Sequence, residues 1–398
     1  MVNCRANQLI LRSFAGHMLT NSFHVLEDSG PQFRCIARYA AFRVQSRKPI
    51  SPSGSKPAPQ EKRAAGELVL LNTIRARAAG ISCSKGYSRV RLGIGDDCAL
   101  LRPRAGEELA VTTDLSIEGR HFRLDWHPPE SVGHRTLARG LSDLAAMGAK
   151  PVAAFLSLGL PRELTVSAGR SRGSRAWVER FLDGLLALAS EHGVPLAGGD
   201  LAESPVAIAD IVLTGAVPQD EALLRSGAKP GDRIYVTGSL GGAAAELATL
   251  EQSPQSFAKV TRTGKAAPHL FPQPRLAQGI WLRKRGLASA AMDLSDGLST
   301  DLAHLCEESG VAAEVDAAAL PLGAGATLAM ALHGGEDYEL LFTAPPSARM
   351  PREIAGVAIT AIGRILLKKG RRQRVLLLTE KGSQSLEPRG WEHFSSGN

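Results

Sequence analysis

The sequence is poor in cysteine, and its cysteines are not arranged in pairs. Five cysteines are scattered through 398 residues, and no two of them are spaced as C-x-x-C. This pattern excludes a zinc framework and a disulfide scaffold, and it is typical of a reducing cytoplasmic location. No apolar run approaches the ~18 residues that a membrane-spanning helix needs. The best candidate, residues 152–160, is broken by Ser157 and Gly159. We therefore expect no membrane partner.

Several familiar catalytic motifs are also missing. The sequence contains no G-x-x-x-x-G-K-[ST] loop, no H-R-D and D-F-G pair, no G-x-S-x-G elbow and no H-E-x-x-H helix. Gly93-x-Gly95 lacks the third glycine of a dinucleotide fingerprint. If the protein handles phosphate, acid-bound metal ions and Arg225 must do the work of a lysine-bearing loop.

The positive charge is concentrated at one end of the chain. The formal net charge is +8, and residues 1–60 hold eight basic and only two acidic side chains. The Ser- and Pro-rich stretch 51–59 is typical of a linker. We interpret residues 1–60 as a disordered extension, or as residues included because the translation start is placed too far upstream, in preference to a transit peptide. The rest of the chain is nearly balanced in charge, so a nucleic-acid partner is not expected.

From residue 61 the pattern is that of an α/β protein, with 44% hydrophobic and 22% charged residues overall. Apolar spacing predicts helices and strands in alternation. In the helix expected over 134–149, Leu137, Leu141 and Leu144 form an apolar stripe, and Asp143 lies off that stripe, so its carboxylate can face a cleft. A turn-rich connector at 226–232 suggests two domains, 61–220 and 221–398. The expected helices cover 67–79, 134–149, 175–192, a stretch after 242 and 298–305. The expected strands cover 109–111, 152–158, 194–197, 207–217, 233–237, 288–292 and 339–343.

One pattern recurs along the chain. An acidic residue stands beside glycine or a small hydroxyl residue, at an expected strand end or on a helix. Any one of these acids can be explained as a helix cap or a turn residue. Gathered in one cleft they would repel one another unless cations lay between them. Oxygen ligands select hard ions such as Mg²⁺, which shares its shell with substrate phosphates. The acids in this pattern are Asp96, Asp97, Asp114, Asp143, Asp200, Asp293, Asp296, Glu336 and Asp337.

Eight short segments stand out along the chain. They are GIGDDCALL (93–101), TTD…GRHF (112–122), LSDLAAMGAKP (141–151), GGD (198–200), RSGAKPGDRIYVTG (225–238), MDLSDGLSTDL (292–302), GGEDYELLF (334–342) and GWEHF (390–394). In this order they resemble the thiamine-monophosphate kinase family of the aminoimidazole-ribonucleotide synthetase-like superfamily. The resemblance covers roughly residues 66–395, whereas residues 1–60 have no counterpart. It implies an α/β fold with an N-terminal sheet domain that pairs in a homodimer and a C-terminal α/β domain.

The resemblance also implies roles for individual residues. The expected magnesium ligands are Asp97, Thr112, Thr113, Asp114, Asp143, Asp200, Asp293 and Asp296. The expected ATP contacts are Gly199, Asp200, Arg225 and Ser295. The expected contacts to thiamine monophosphate are His121, Glu336 and Trp391. The segment GGDLAES departs from the family's usual G-G-D-T-T, so no hydroxyl ligand is expected after Asp200.

The implied reaction is direct transfer of the ATP γ-phosphoryl group to thiamine monophosphate, giving thiamine diphosphate. The attacking phosphate oxygen is already ionised, so no general base is expected, and catalysis would be positioning and electrostatics. Two alternatives remain: another ATP-dependent synthetase of the superfamily, and a catalytically inactive structural dimer. ATP consumption with thiamine monophosphate, aminoimidazole precursors or selenide separates them. A weaker third hypothesis is that the basic residues 1–60 bind nucleic acid. Salt-dependent DNA binding by the full chain, but not by residues 61–398, would support it.

The linker and the local charge excess generate a first prediction. Removal of residues 1–60 should leave kinase activity and the thermal midpoint unchanged, because the linker at 51–59 and the excess of basic side chains set this segment apart from the rest of the chain. Steady-state assays and thermal unfolding of the full chain and of residues 61–398 test it. A clear fall in either quantity would show that the extension packs on the rest of the protein.

Overall fold

The computed structural model describes residues 67–79, 89–166, 175–257, 267–368, 370 and 375–391. Residues 61–398 cluster as one unit. The expectation for residues 1–60 concerns residues outside those described, so it stays a prediction. In the described ranges, no helix combines the length and the apolar character needed to cross a bilayer.

The first half of the described chain is a four-stranded sheet with helices on one face. The sheet order is β3-β6-β4-β5, with β4 and β5 parallel and the other pairs antiparallel. Helix α3 makes the crossover that a parallel pair requires. The helices are α1 (Glu67–Ala78), α2 (Pro129–Ala146) and α3 (Trp177–His192). The strands are β1 (Val90–Leu92), β2 (Leu100–Leu101), β3 (Glu107–Ile117), β4 (Lys150–Leu160), β5 (Leu196–Glu203) and β6 (Ile208–Pro218).

The second half is built on a larger mixed sheet. Its order is β14-β13-β9-β12-β7-β10-β8, and β11 pairs with β12. The described helices here are α4 (Gly242–Gln252), α5 (Leu276–Arg285), α6 (Leu298–Ser309) and α7 (Leu328–His333). The strands are β7 (Arg233–Thr237), β8 (Ala290–Asp293), β9 (Ala312–Asp316), β10 (Leu340–Ala344), β11 (Glu353–Ile354), β12 (Val357–Leu366), β13 (Val375–Thr379) and β14 (Gly382–Ser385).

Helix α2 lies between the two sheets and is buried on nearly every side. Fifteen of its 18 residues are buried. The apolar stripe that the sequence predicted, Leu137, Leu141 and Leu144, is at most 1% exposed. The opposite side packs on the second half, where a side-chain carbon on Gly279 of α5 would lie 1.8 Å from the carbonyl oxygen of Ala145. A helix buried all round is the element that joins two layers into one core.

Two glycines allow α2 and α3 to cross closely. A Cβ atom on Gly133 would lie 1.9 Å from the carbonyl oxygen of Phe181, and one on Gly184 would lie 1.8 Å from that of Glu130. Both contacts are to backbone, which cannot move away without shifting a whole helix. The backbones therefore approach to a distance that any larger residue would prevent.

Two strands run further than the sequence pattern indicated. The expected strand ends, after residues 111 and 197, lie inside β3 and β5, so Thr112, Thr113 and Asp114 are strand residues, as are Gly199 and Asp200. The reason is pairing: β3 pairs with β6 in unbroken register from Glu107 to Ile117. Ladder partners extend a strand through polar residues that propensity alone would place in a turn.

The helix crossing generates a prediction about stability. Gly133→Ala should lower the free energy of unfolding by about 2–3 kcal/mol. The clash of the added methyl group with a rigid backbone destabilises the protein more than the higher helix propensity of Ala stabilises it. Gly140→Ala in the same helix is the matched control, since its Cβ would meet the flexible end of Leu213 at 2.6 Å. Urea unfolding measures both variants. Equal losses in the two would contradict the role of the α2–α3 crossing.

Candidate active site

A cavity of about 770 Å³ opens beside α2. Its walls come from both halves of the described chain: strand β3 and residues 119–127, α2, α4, the segment after β8 and the GGEDY segment. Residues that are up to 277 positions apart in sequence therefore share one space. Eight residues singled out by the sequence line it: Asp114, His121, Asp143, Asp293, Ser295, Asp296, Glu336 and Trp391.

Three acids at the cavity, which we call the inner carboxylates, are Asp114 of β3, Asp143 of α2 and Asp293 at the end of β8. The hydroxyl of Thr112 donates a hydrogen bond to Asp143. The hydroxyl of Ser142 donates to Oδ2 of Asp293 at 2.7 Å. These bonds fix two of the three side chains, so the inner carboxylates are oriented by neighbours before any ligand arrives.

Burial and mutual repulsion raise the pKa values of the inner carboxylates. Burial, reinforced by the charge of Asp143, raises the pKa of Asp293 to about 7. Burial raises the pKa of Asp114 to about 6 against the lowering effect of Arg139, and it also raises the pKa of Asp143. The charged forms are thus destabilised together, which is the situation that a bound cation relieves.

The donor set at the inner carboxylates suits magnesium that is shared with phosphate. Across the described residues, no three acid, histidine or cysteine side chains form a group that could hold a metal by themselves. Mg²⁺ is usually bound by one or two carboxylates plus waters and substrate phosphates rather than by an all-protein cage. Oxygen donors around an open cavity fit that type of site.

Other predicted ligands lie on the far side of the first sheet, which we call the outer face. Side chains alternate along a strand, so Thr113 points away from the inner residues Thr112 and Asp114. Thr113 is exposed, and so is Asp200 of β5. Asp200 pairs with Ser157, whose other partner is Asp210 on the outer face. The structure therefore does not bring Thr113 and Asp200 to the cavity.

Asp97, like Thr113 and Asp200, is a predicted ligand that does not reach the cavity. It lies exposed in the loop between β1 and β2. Val90, Ala99 and Leu101 of this hairpin pack against a cluster that includes Val152 on the first sheet. The predicted magnesium ligands are thus divided between the cavity and the opposite side of one sheet.

Two expected ATP contacts also lie outside the cavity lining. Arg225 is exposed, but its charge lowers the pKa values of both Asp143 and Asp293, so it acts electrostatically on the inner carboxylates. Gly199 has a φ of 147° and no room for a side chain, because a Cβ atom would lie 1.8 Å from the carbonyl oxygen of Leu156. Ser295 is the ATP candidate that lines the cavity.

The GGEDY segment enters the cavity in an unusual backbone conformation. Glu336 has a φ of 66° and Tyr338 has a φ of 51°, both in the left-handed region that residues other than glycine seldom adopt. Between them, Asp337 accepts hydrogen bonds from the backbone of Gly241, at 2.7 Å, and of Ala243 at the start of α4. Such conformations persist where the surroundings hold them, and they cluster at ligand sites.

His121 and Trp391 complete the predicted substrate contacts. Nδ1 of His121 accepts a hydrogen bond from the backbone of Ile117 at 3.1 Å. The backbone of Trp391 donates to the carbonyl of Asp296 at 3.1 Å, while 43% of the residue stays exposed. Residue 391 is thus tied to the segment after β8, and Trp391 lies at the cavity wall.

Two arginines at the site were missed by the motif analysis. Arg135 and Arg139 of α2 lie on the same face as Asp143, at a spacing of four residues. Arg139 lines the cavity and contacts Asp114 at 3.5 Å, and Arg135 pairs with Glu336. Extending the helical face of Asp143 backwards by two turns would have found both. His269, which also lines the cavity, carried no comparable sequence signal.

Comparisons with known proteins agree with this architecture. The N-terminal domain of AIR synthase related proteins matches residues 95–217, and the C-terminal domain matches residues 229–373. The thiamine-monophosphate kinase of Salmonella typhimurium is 42% identical over 69% of this chain and 84% of its own length. The predicted α/β fold of two domains is therefore confirmed, whereas the boundaries proposed for those domains stay predictions.

Solved structures give the same result. The thiamine-monophosphate kinase of Stenotrophomonas maltophilia superposes with a TM-score of 0.66, at 38% identity over 78% of this chain and 96% of that one. A complex of AaThiL with AMPPCP and TMP superposes with a TM-score of 0.61, at 29% identity over 84% of this chain and 99% of that one. On this similarity in sequence, order of motifs and fold, the chain belongs to the thiamine-monophosphate kinase family.

Proposed function

We propose that this chain transfers the γ-phosphoryl group of ATP to thiamine monophosphate in the cavity beside α2. The observation that carries the proposal is the composition of that one cavity. It combines the inner carboxylates with Glu336 and Trp391. Acids with raised pKa values suit a pair of phosphates and their cations, while an ionised acid and an aromatic face suit a cationic ring.

Asp114, Asp143 and Asp293 would hold magnesium at the cavity, with Asp296 beside them. Magnesium supplies charge neutralisation for two phosphate groups that otherwise repel each other. Arg139 adds a fixed positive charge beside Asp114. Thr112 and Ser142 keep the carboxylates oriented, and Ser295 at the lining is the expected ATP contact. No side chain has to remove a proton, because the attacking phosphate oxygen is already ionised.

We also propose that the protein is a homodimer joined through the outer face. Leu109, Val111 and Leu115 of β3 are 44%, 62% and 45% exposed and lie side by side on that face. A second copy covering them would also enclose Thr113 and Asp200, the predicted ligands that do not reach the cavity. Asp97, Gly199 and Arg225 retain their proposed roles in metal and ATP binding in this arrangement. The cytoplasmic location stays a prediction.

The direct test of the activity is a coupled assay. Purified protein with Mg²⁺ and ATP should form ADP and thiamine diphosphate in equal amounts when thiamine monophosphate is supplied. Aminoimidazole precursors and selenide serve as alternative acceptors, because they report the other ATP-dependent activities of the superfamily. ATP consumption with one of those and none with thiamine monophosphate would overturn the proposal.

Asp143→Asn should reduce turnover at least ~100-fold, because a lost charge at a shared cation site costs several kcal/mol and each ~1.4 kcal/mol is tenfold. Asn keeps the shape of Asp, so the protein should fold. Asp97→Asn is expected to behave likewise if the outer group also serves the metals. Asp220→Asn is the control, since this exposed turn residue has a φ of 61°, which Asn tolerates. Magnesium titration by calorimetry should weaken in the first two variants. Near-normal turnover at saturating Mg²⁺ would exclude the metal roles.

Trp391→Ala should raise the KM for thiamine monophosphate roughly 3- to 30-fold, as expected for loss of a cation–π contact of about 0.5–2 kcal/mol. The KM for ATP should barely change, because ATP is assigned to other residues. Trp391→Phe keeps an aromatic face and should recover much of the loss. Kinetics with each substrate varied in turn decide the question. A parallel rise of both KM values would indicate a structural role.

The outer face generates a prediction about assembly. Val111→Glu should shift the protein from dimer to monomer in sedimentation experiments, because a charge in an apolar interface is strongly unfavourable. Val69→Glu is the matched control, since Val69 of α1 is similarly exposed, at 58% against 62%, but lies away from this sheet face. A monomeric wild-type protein, or dissociation by both variants, would contradict this interface.

A further inference from the structure

Three basic side chains lie buried together beside the cavity. Arg135, His127 and His269 are 4%, 4% and 2% exposed, and the two imidazole rings lie 5.2 Å apart between centroids. Burial of groups that can carry positive charge is unfavourable unless they are paired. The carboxylate that they meet is that of Glu336, the acid proposed above to contact thiamine monophosphate.

Each carboxylate oxygen of Glu336 has a member of this cluster close to it. Arg135 donates through Nη2 to Oε1, and Nδ1 of His269 lies 3.1 Å from Oε2. The backbone of Glu336 is held as well, since its N–H donates to the carbonyl of Ser295 at 2.7 Å. The carboxylate and the left-handed backbone beneath it are therefore fixed from two directions.

The hydrogen-bond partners assign the proton of His269. An arginine can only donate, and Nη1 of Arg135 lies 2.9 Å from Nε2 of His269, so this nitrogen is an acceptor. The proton of His269 is then on Nδ1, which faces Glu336. Nε2 of His127 lies 3.0 Å from Nε2 of His269. Nδ1 of His127 lies 3.1 Å from the backbone nitrogen of Arg123 and 3.2 Å from its backbone oxygen, so the ring of His127 is held from both sides.

The charges agree with this assignment. Burial, with the nearby charge of Arg135, lowers the pKa of His127 to about 3 and also lowers the pKa of His269, so both are neutral at pH 7. Burial alone would raise the pKa of Glu336, but the charge of Arg135 and the polar contact with His269 hold it well below its usual range. The result is one ionised carboxylate, one arginine and two neutral histidines in a single defined pattern.

We propose that Arg135, His269 and His127 are positioning residues that hold the carboxylate of Glu336 in one orientation for the cationic ring of thiamine monophosphate. This inference rests on the proposed function. Because Arg135 and Glu336 offset each other in charge, the cluster adds little long-range attraction. Its effect is preorganisation: the carboxylate is already ordered when the substrate arrives, so less entropy is lost on binding.

A pair of variants at His269 tests the geometry. His269→Leu removes the donor to Glu336, whereas the amide nitrogen of His269→Asn takes a place close to that of Nδ1 and can still donate. His269→Leu should raise the KM for thiamine monophosphate about 5- to 20-fold, in the range expected for loss of one close polar contact to a charged group, with the KM for ATP within about twofold. His269→Asn should recover most of that loss.

The decisive measurement is a double-mutant cycle with Glu336→Gln. If His269 acts through Glu336, His269→Leu should change the KM for thiamine monophosphate by less than about twofold in the Glu336→Gln background. Independent, multiplicative effects of the two changes would overturn the inference, as would an equal rise of both KM values. Should His269→Leu fail to fold, His127→Leu and His127→Gln provide the same pair of variants at the residue that contacts His269 rather than Glu336.

The cycle separates the two proposals. A wild-type protein that phosphorylates thiamine monophosphate while the cycle is multiplicative overturns only the positioning role. A wild-type protein that does not phosphorylate thiamine monophosphate overturns the proposed function and this inference with it. A non-multiplicative cycle confined to the KM for thiamine monophosphate, with rescue by Asn, supports both.

Discussion

Burial of α2 between two sheets is the constraint on which the site depends. One side of α2 packs on apolar side chains through a stripe of leucines. Its other sides approach the backbones of α3 and α5 closely, and glycines at the two crossings make that approach possible. The face that remains carries Arg135, Arg139 and Asp143. Because the helix is fixed by packing on both sides, these charges are held at set positions relative to β3, β8 and the GGEDY segment.

The charges around the cavity are arranged in two opposite ways. At the inner carboxylates, acids face acids, and burial raises their pKa values. At Glu336, an acid faces arginine, and its pKa is lowered despite burial. The first arrangement would be balanced by the cations proposed above, and the second is balanced within the chain. This contrast suits a cavity that receives phosphates with their metal ions at one place and an organic cation at another.

The first sheet contributes to the proposed chemistry through both of its faces. Thr112 and Asp114 point towards α2, while Thr113 and Asp200 point the other way, beside exposed leucine and valine side chains. A sequence motif of three adjacent residues is thereby divided by the alternation of a strand. The second copy of the chain proposed for the outer face would place both sets of residues in enclosed surroundings.

The sequence predicted the family, many of the helices and strands in order and eight residues of the cavity lining, but it did not predict, for example, helices α5 and α7 or strand β9. Helical periodicity placed Asp143 off the apolar stripe of α2, and eight motif residues do line one cavity. It did not determine which side of β3 and β5 each ligand occupies, because strand length and register depend on pairing with β6 and β4. Nor did it indicate the cluster of Arg135, His269 and Glu336, whose members lie up to 201 residues apart. Such contacts arise only when separate elements pack, so the tertiary structure alone decided them.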